Sequence, residues 1–158
     1  MSIKRFAASA LVVSAAGLAM ISTHEGVRTD AYLDPIGIPT ICAGHTEGVF
    51  LGQKRTLKEC EVLLRQDSSY AGKAIARCTK VDLTQRSYDA LASFTYNAGG
   101  AAYCTSTLVR KLNAGDCWGA AREFDRWVYA KGRKLPGLVK RRAEERALFE
   151  TGCERGLG

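Results

Sequence analysis

The sequence lacks the motifs of most nucleic-acid-binding and nucleotide-binding proteins. It has no zinc-finger spacing, no Walker loop, no RNP-like aromatic motif and no basic region followed by heptads. It also lacks internal repeats and low-complexity tracts, so its 158 residues suffice for one domain, at most divided into two small lobes. The net charge of +7 favours a polyanionic partner. With nucleic acid not expected, anionic lipid or an acidic cell-wall polymer remains.

Cysteine is absent before Cys42, and no two cysteines are spaced as CxxC. Because no cysteine clusters with histidine either, a zinc site is not expected. An even number spread through a small domain predicts three disulfides in an oxidising compartment. The alternative is buried free thiols in a cytosolic protein. The six cysteines are Cys42, Cys60, Cys78, Cys104, Cys117 and Cys153.

Charge is absent from Phe6 to Thr23. As a helix this run spans roughly 27 Å, just short of the ~30 Å hydrocarbon core, and its many Ala, Ser and Gly residues make insertion marginal. Lys4 and Arg5 would keep the N-terminus in the cytoplasm and send the rest of the chain across the membrane. A cleavable signal peptide, with small-residue sites at "GLA" and "SAA", and a buried core helix of a cytosolic protein are the alternatives.

Turn residues dominate the stretch that follows. "DPIG", at residues 34–37, predicts a tight turn between the extended pieces "AYL" and "PTICAG", and hence a small hairpin or three-stranded sheet. Thr56 and Glu59 form a capping box for a helix that runs to Cys78 and is long enough to link two lobes.

Helical patterns fill the rest of the chain, which predicts a mainly helical α+β fold. Asp82 and Gln85 are expected to cap a helix that Gly99 and Gly100 stop. A short helix is expected to end at Gly115, and another to cover residues 117–132. The last should run from Pro136 to Gly152.

Two carboxyl groups and a hydroxyl lie in the turn-rich stretch. Cleavage of a glycosidic bond needs one protonated carboxylic acid and a second carboxylate. Glu25, at the end of an apolar segment, suits the acid because apolar surroundings favour a neutral carboxyl group, and Asp34 in a polar loop should stay ionised. Thr40 could hold a water against Asp34. By itself this spacing is weak, since Asp34 also fits a turn residue and Thr40 a strand residue.

The segment "HEGVRTDAYLDPIGIPTICAGHT" resembles the catalytic segment of the phage-type lysozymes, glycoside hydrolase family 24. The family pattern of Glu-Gly, aromatic-x-Asp, Gly and Thr-Ile-Gly-x-Gly-His is matched except at Cys42, where a glycine is usual. The segments "LLRQD", "SFTYNAGG", "STLVRKLNAGD", "RWVYAKGRKLPGLVKRR" and "ERALFETG" follow in the family's order, so the resemblance covers residues 24–153.

The resemblance implies a two-lobed lysozyme-like fold and a role for each matching residue. Glu25 would be the catalytic acid, and Asp34 and Thr40 would orient the attacking water. His45 and Asp67 would form a structural ion pair, Arg141 would pair with Glu25 unless the register shifts to Arg142, and Asn97 would face the sugar cleft. Trp127 and Tyr88 are expected in the core rather than as sugar platforms.

The implied activity is hydrolysis of the β-1,4 bond between N-acetylmuramic acid and N-acetylglucosamine in peptidoglycan, for lysis of a host by a phage or prophage. A lytic transglycosylase, which uses a single glutamate, and a non-catalytic basic protein that binds walls or membranes are the alternatives. This activity implies no metal or organic cofactor, and a monomer is expected.

The resemblance also extends to the signal-anchor-release segment of certain endolysins. Residues 1–23 would tether a catalytic domain of residues 24–158 to the host inner membrane, on the periplasmic side, through residues 6–23. The protein would then be released into the periplasm, and residues 6–23 would pack onto the domain.

The cysteine pairing is left open by the sequence, because six cysteines can be joined in many ways. Cys42 leaves the catalytic loop and Cys60 enters the next helix, which favours their pairing. Cys104 and Cys117 flank one short helix, and Cys78 and Cys153 remain. The expected disulfides are therefore Cys42–Cys60, Cys104–Cys117 and Cys78–Cys153.

Overall fold

The first helix begins well inside the apolar run. In a computed structural model, which describes residues 2–154, a 3-10 turn covers Ala8–Ala10 and helix α1 covers Ala15–Glu25. Ser14 is its N-cap, so a helix over all of residues 6–23 is not present in this fold. Leu18 and Ile21 are buried, which makes the run part of the core. Within residues 2–154, no helix has both the length and the apolar character needed to cross a membrane.

A hairpin follows, as predicted. Strands β1 (Arg28–Leu33) and β2 (Pro39–Cys42) pair antiparallel, with Tyr32 opposite Thr40. The turn between them is closed by a hydrogen bond from Gly37 N to Asp34 O (2.9 Å), and Gly37 has a φ of +85°, which favours glycine.

Helix α2 (Leu57–Cys78) links two lobes. The predicted capping box is confirmed: Thr56 N donates to Glu59 Oε2, and Glu59 N donates to Thr56 Oγ1. Near its start, Cys60 and Leu64 belong to the small apolar clusters formed with the hairpin and α1, whereas Ile75 near its end belongs to the large cluster of the other lobe.

Helix α3 (Gln85–Ala98) is the central element of the larger lobe, and its residues 87–95 are all buried. It contacts α1, α2, α4 (Gly100–Thr105) and α7 (Pro136–Glu150). Gly99 ends the helix as predicted. The predicted cap at Asp82 is wrong, because Thr84 occupies the N-cap and its hydroxyl accepts from Ser87 N (3.1 Å).

The predicted helix over residues 117–132 is wrong in its second half. Helices α5 (Thr107–Asn113) and α6 (Cys117–Glu123) are followed by a 3-10 turn and a small hairpin of β3 (Tyr129–Ala130) and β4 (Arg133–Lys134). Lys131 and Gly132 both have positive φ angles, the geometry of a tight hairpin turn that a helix cannot contain. Helix α7 begins at Pro136, as predicted.

The six cysteines form three disulfides, as predicted, but two of the three pairings differ. Cys42–Cys60 is confirmed, whereas Cys78 pairs with Cys104 and Cys117 with Cys153. The expected Cys104–Cys117 and Cys78–Cys153 links are wrong because α5 separates its flanking residues: its seven residues span roughly 10 Å, more than a disulfide can bridge. Instead α4 packs against α2, and α6 against α7.

The assignment of Thr84, rather than Asp82, as the N-cap of α3 can be tested by mutation. Thr84→Ala should lower the free energy of unfolding by about 1–2 kcal/mol, because Ser87 N loses its acceptor in a buried setting. Asp82→Ala, at an exposed position, is the matched control and should change it by less than about 0.5 kcal/mol. Urea unfolding with the disulfides intact measures both, and a larger loss for Asp82→Ala would contradict the assignment.

Candidate active site

A cleft of about 710 Å³ lies between the two lobes. It is lined by the end of α1, the loop after β2, one face of α2 and the last turns of α3. Among the predicted site residues, Glu25, His45, Asp67 and Asn97 line this cleft, whereas Asp34 and Thr40 do not.

Glu25 is the last residue of α1, and its side chain is 22% exposed. Its Oε1 accepts a hydrogen bond from Arg141 Nη1 at 2.6 Å. The other oxygen, Oε2, lies on the side of Gly44, where a Cβ atom would come within 3.8 Å of it. The apolar surroundings expected for Glu25 are therefore wrong, since a guanidinium holds one carboxyl oxygen and the cleft receives the other.

Arg141 is buried in helix α7 and makes several further contacts. Its Nε donates to Glu145 Oε1 (3.0 Å), and its Nη2 donates to the carbonyl of Ser93 on α3 (3.0 Å). Glu145 has no exposed surface, so its charge is balanced within the protein. The contact between Arg141 and Glu25 that the resemblance implies is present.

Arg142 points elsewhere, which settles the register. Its guanidinium donates to Asn97 Oδ1, to Glu145 Oε2 and to the carbonyl of Trp127. Burial lowers the pKa of Arg142 from its ordinary value, and the neighbouring carboxylate of Glu145 opposes this shift. Arg142 thus supports the cleft by holding Asn97.

The expected contact between His45 and Asp67 is also present. His45 Nδ1 lies 2.8 Å from Asp67 Oδ2, and Nε2 lies 3.0 Å from the carbonyl of Glu47. Both neighbours are acceptors, so either ring nitrogen has a partner to which it can donate. The pair ties the loop after β2 to α2 along the cleft wall.

Sequence reasoning overlooked Tyr96, although it lies in "SFTYNAGG". Its hydroxyl donates to the carbonyl of Ala43 (2.7 Å), which joins α3 to the loop after β2. Burial raises the pKa of Tyr96, and the charges of Asp67 and Glu25 raise it further, so the hydroxyl stays a donor.

Asp34 and Thr40 lie together in the hairpin. Asp34 Oδ1 accepts from Ile36 N and Ile38 N, both at 2.9 Å, and Thr40 Oγ1 donates to Ile38 O (2.9 Å). Both side chains therefore bind the backbone of Ile38, one at its N–H and the other at its carbonyl. Asp34 keeps Oδ2 outside these bonds.

Tyr88 and Trp127 were both expected in the core, and the structure places only Tyr88 fully inside it. Tyr88 is buried in the large core. Trp127 is half-buried and packs edge-to-face on Phe94 with ring centres 5.2 Å apart, and it also lines a cavity of about 450 Å³ with Asn97 and Tyr129.

Within residues 2–154, no three His, Cys, Asp or Glu side chains are grouped so that they could hold a metal ion.

Comparison with known proteins gives consistent matches. The sequence model of the family described as phage lysozyme matches residues 22–145. An endolysin of Acyrthosiphon pisum secondary endosymbiont phage 1 is 43% identical over 143 residues, which cover 88% of this chain and 98% of that protein. A SAR-endolysin of bacteriophage PS119 is 42% identical over 123 residues, 77% of this chain and 74% of that protein.

The solved structures agree with the sequence matches. A crystal structure of a P22 lysozyme mutant superposes with a TM-score of 0.82 at 37% identity, covering 88% of this chain and 98% of that one. The expected lysozyme-like α+β fold is thereby confirmed.

Arg141 binds Glu145 and Ser93 as well as Glu25, so its loss should cost more stability than the loss of the Glu25 charge. Arg141→Gln should lower the free energy of unfolding by about 3–5 kcal/mol, because Glu145 is left buried with less positive charge. Glu25→Gln should change it by no more than about 1 kcal/mol, since Arg141 keeps Glu145 and can still donate to the amide oxygen. Urea unfolding of both variants provides the measurement, and equal losses would contradict the prediction.

Proposed function

This chain belongs to the phage lysozyme family, and we propose that it cleaves the β-1,4 bond between N-acetylmuramic acid and N-acetylglucosamine with Glu25 as the proton donor. As a muramidase of this family it is a glycoside hydrolase that acts on peptidoglycan and serves lysis of the host cell. The observation that carries the proposed role is the position of Glu25 on the cleft wall, with one oxygen bound to Arg141. The enzyme acts as a monomer.

The two oxygens of Glu25 have different tasks. Oε1 accepts from Arg141 whether or not the carboxyl group carries a proton, so the side chain keeps its orientation. Oε2, on the side of Gly44, carries the proton and gives it to the glycosidic oxygen as the bond to the sugar breaks. Arg141 then stabilises the resulting carboxylate.

Asp34 and Thr40 orient the water that attacks the sugar. Two backbone amides hold Oδ1 of Asp34, which leaves Oδ2 to accept a hydrogen bond from the water and to take its proton as the water oxygen bonds to the sugar. Thr40 donates its own proton to Ile38 O, so its oxygen can accept from the same water. Asn97, held by Arg142 at the cleft, contacts the sugar chain.

Catalysis can be tested with variants that keep the local hydrogen bonds. Glu25→Gln and Asp34→Asn should each lower wall hydrolysis by roughly 10²-fold or more, because each removes an acid or base but leaves an amide oxygen for the existing donors. Release of soluble fragments from purified peptidoglycan measures the rate. Glu61→Gln, an exposed residue of α2 that pairs only with Arg65 within residues 2–154, is the control and should stay active.

The products distinguish hydrolysis from the transglycosylase reaction. Mass spectrometry should show fragments that end in a reducing sugar, with the elements of water added. Fragments lighter by one water would indicate a lytic transglycosylase, as would full activity of Asp34→Asn. More than a few per cent of turnover by Glu25→Gln would overturn its assignment as the acid.

The N-terminal segment adds regulation. Residues 1–23 tether the enzyme to the host inner membrane with its catalytic domain, residues 24–158, in the periplasm, and release into the periplasm activates it. The uncharged run and the similarity to a protein named SAR-endolysin support this proposal. While residues 6–23 lie in lipid, they cannot form the helix that ends at Glu25, so the cleft is incomplete. No cysteine precedes Cys42, so activation is conformational rather than a thiol exchange through the anchor.

Anchoring can be strengthened without disturbing the released fold. Ser9, Ala16 and Ala19 are exposed in the folded protein, so leucine at these positions has room. The triple leucine variant should remain in the membrane fraction and lyse cells late, because each leucine favours the bilayer by a few tenths of a kcal/mol. Cell fractionation and the onset of lysis measure the effect.

A polar variant serves as the control. Ala16→Ser with Ala19→Ser should be released at least as fast as the wild type. The mass of the soluble periplasmic form decides between anchor and signal peptide: a form that lacks residues 1–19 would show an ordinary cleaved signal and refute the tethering model.

A further inference from the structure

Asp89 is a buried carboxylate that the proposed chemistry does not use. It lies on α3, is 3% exposed, and takes part in no ion pair within residues 2–154. Its hydrogen-bond donors are Ser14 N (2.9 Å), the Ser14 hydroxyl and Gln85 Nε2 (3.0 Å). Because a buried charge is costly unless it is hydrogen-bonded, these donors are what make the burial of Asp89 tolerable.

Two of these donors come from the N-terminal segment. Gln85 extends the contact, since its Nε2 also donates to the carbonyl of Val12 (2.8 Å). Residues 12–14 are therefore held on α3 by polar bonds rather than by apolar contact alone.

The bonds of Ser14 continue into helix α1. Its hydroxyl donates to Asp89 and accepts from Gly17 N (3.2 Å), and its carbonyl accepts from Leu18 N (2.9 Å). The negative charge of Asp89 also lies at the N-terminus of α1, where the helix dipole favours it. Asp89 thus holds Ser14, the N-cap residue of the helix, in place.

The close approach of α1 to Asp89 requires glycine. A Cβ atom on Gly17 would lie 2.7 Å from Asp89 Cγ and 2.6 Å from Val13 Cγ2. Ser14 is the only serine of residues 2–23 that has a glycine three positions later. This Ser-x-x-Gly spacing specifies one register of the segment on α3.

Helix α1 is consequently held at both ends. Its N-terminus is bound to α3 through Ser14 and Asp89, and its C-terminus to α7 through Glu25 and Arg141. The side chain of His24 lies 2.8 Å from that of Glu144, also on α7, although the geometry is poor for a hydrogen bond. A helix of 11 residues is a rigid rod of roughly 16 Å, so a displacement at Ser14 moves Glu25.

We propose that Asp89 is the docking point of the released N-terminal segment and the positioning residue of Glu25. The inference rests on the proposed function, in which residues 6–23 leave the membrane before the cleft is complete. While the segment is in lipid, Ser14 cannot reach Asp89 and water hydrates the carboxylate. After release, Ser14 replaces that water and fixes the register of α1.

The test is a double-mutant cycle with Ser14→Ala, Asp89→Ala and the double variant. In the released enzyme, Asp89→Ala should lower kcat about tenfold or more and leave KM within about twofold, since the proton donor is displaced while the sugar-binding wall remains. The double variant should lose no more than Asp89→Ala alone, because both act through one contact. Asp89→Asn retains an acceptor and should recover much of the lost kcat.

A matched control separates positioning from stability. Asp116 caps α6 by accepting from Gly119 N (2.8 Å), far along the chain from α1. Asp116→Ala should lower the melting temperature and leave kcat unchanged. Should Asp89→Ala fail to fold, Asp89→Asn and Ser14→Ala still form the comparison, and Ser14→Ala must then lower kcat.

The second measurement is docking in cells. Asp89→Ala should leave more of the protein in the membrane fraction and make the segment of any released protein more sensitive to protease. Unchanged kcat in folded Asp89→Ala, or losses that add in the double variant, would overturn the inference. If Glu25→Gln stayed active, the proposed chemistry would fail instead, and a mature protein without Ser14 would overturn both tethering and docking.

Discussion

The fold depends on a cluster of charged side chains on α7 that have almost no access to water. Arg141 and Arg142 lie side by side near the middle of α7, and Glu145, one turn later, accepts from both. Two guanidinium groups share the buried carboxylate of Glu145, so removing one charge of this cluster would leave another poorly compensated. Glu25, from the opposite end of the chain, contacts the cluster at its edge through Arg141, and its side chain stays 22% exposed. The proposed proton donor is therefore held in place by the same charged cluster that joins the helices of the core.

This constraint explains why helices distant in sequence meet where they do. Arg141 donates to Ser93 on α3 as well as to Glu25 on α1, so one guanidinium brings three helices together. Arg142 extends the same network to Asn97 and to the carbonyl of Trp127, which ends the 3-10 turn after α6. One set of hydrogen bonds thus links the cleft wall to the core of the larger lobe. A shift in α7 would displace residues of both.

Local signals in the sequence predicted the elements that local chemistry decides. The capping box of Thr56 and Glu59, the turn at residues 34–37 and the start of α7 at Pro136 each depend on neighbours within a few positions. At the start of α3 two good caps, Asp82 and Thr84, stand close together, and only the burial of the helix from Ser87 onward selects Thr84.

Contacts between residues far apart in the sequence could not be predicted from local sequence patterns. The Cys78–Cys104 and Cys117–Cys153 links require knowing which helices pack together. The same holds for Glu145, Tyr96 and Asp89, whose contacts all cross between elements. The contact of Arg141 with Glu25 was anticipated, but only through resemblance to a family, and the residues that surround the pair were not.

The composition of the N-terminal segment has one physical explanation in both of its proposed settings. Serine and glycine weaken insertion into a bilayer, because they add polar groups or little apolar surface. In the folded protein, Ser14 supplies two hydrogen bonds to Asp89, and Gly17 leaves the space that lets α1 approach it. The apolar residues of the segment also suit both settings: Leu18 and Ile21 favour the bilayer, and in the folded protein they are buried in the core. Ser14 and Gly17, which would make the proposed membrane state marginal, are thus residues that the folded state uses, so both effects favour the folded position of the segment.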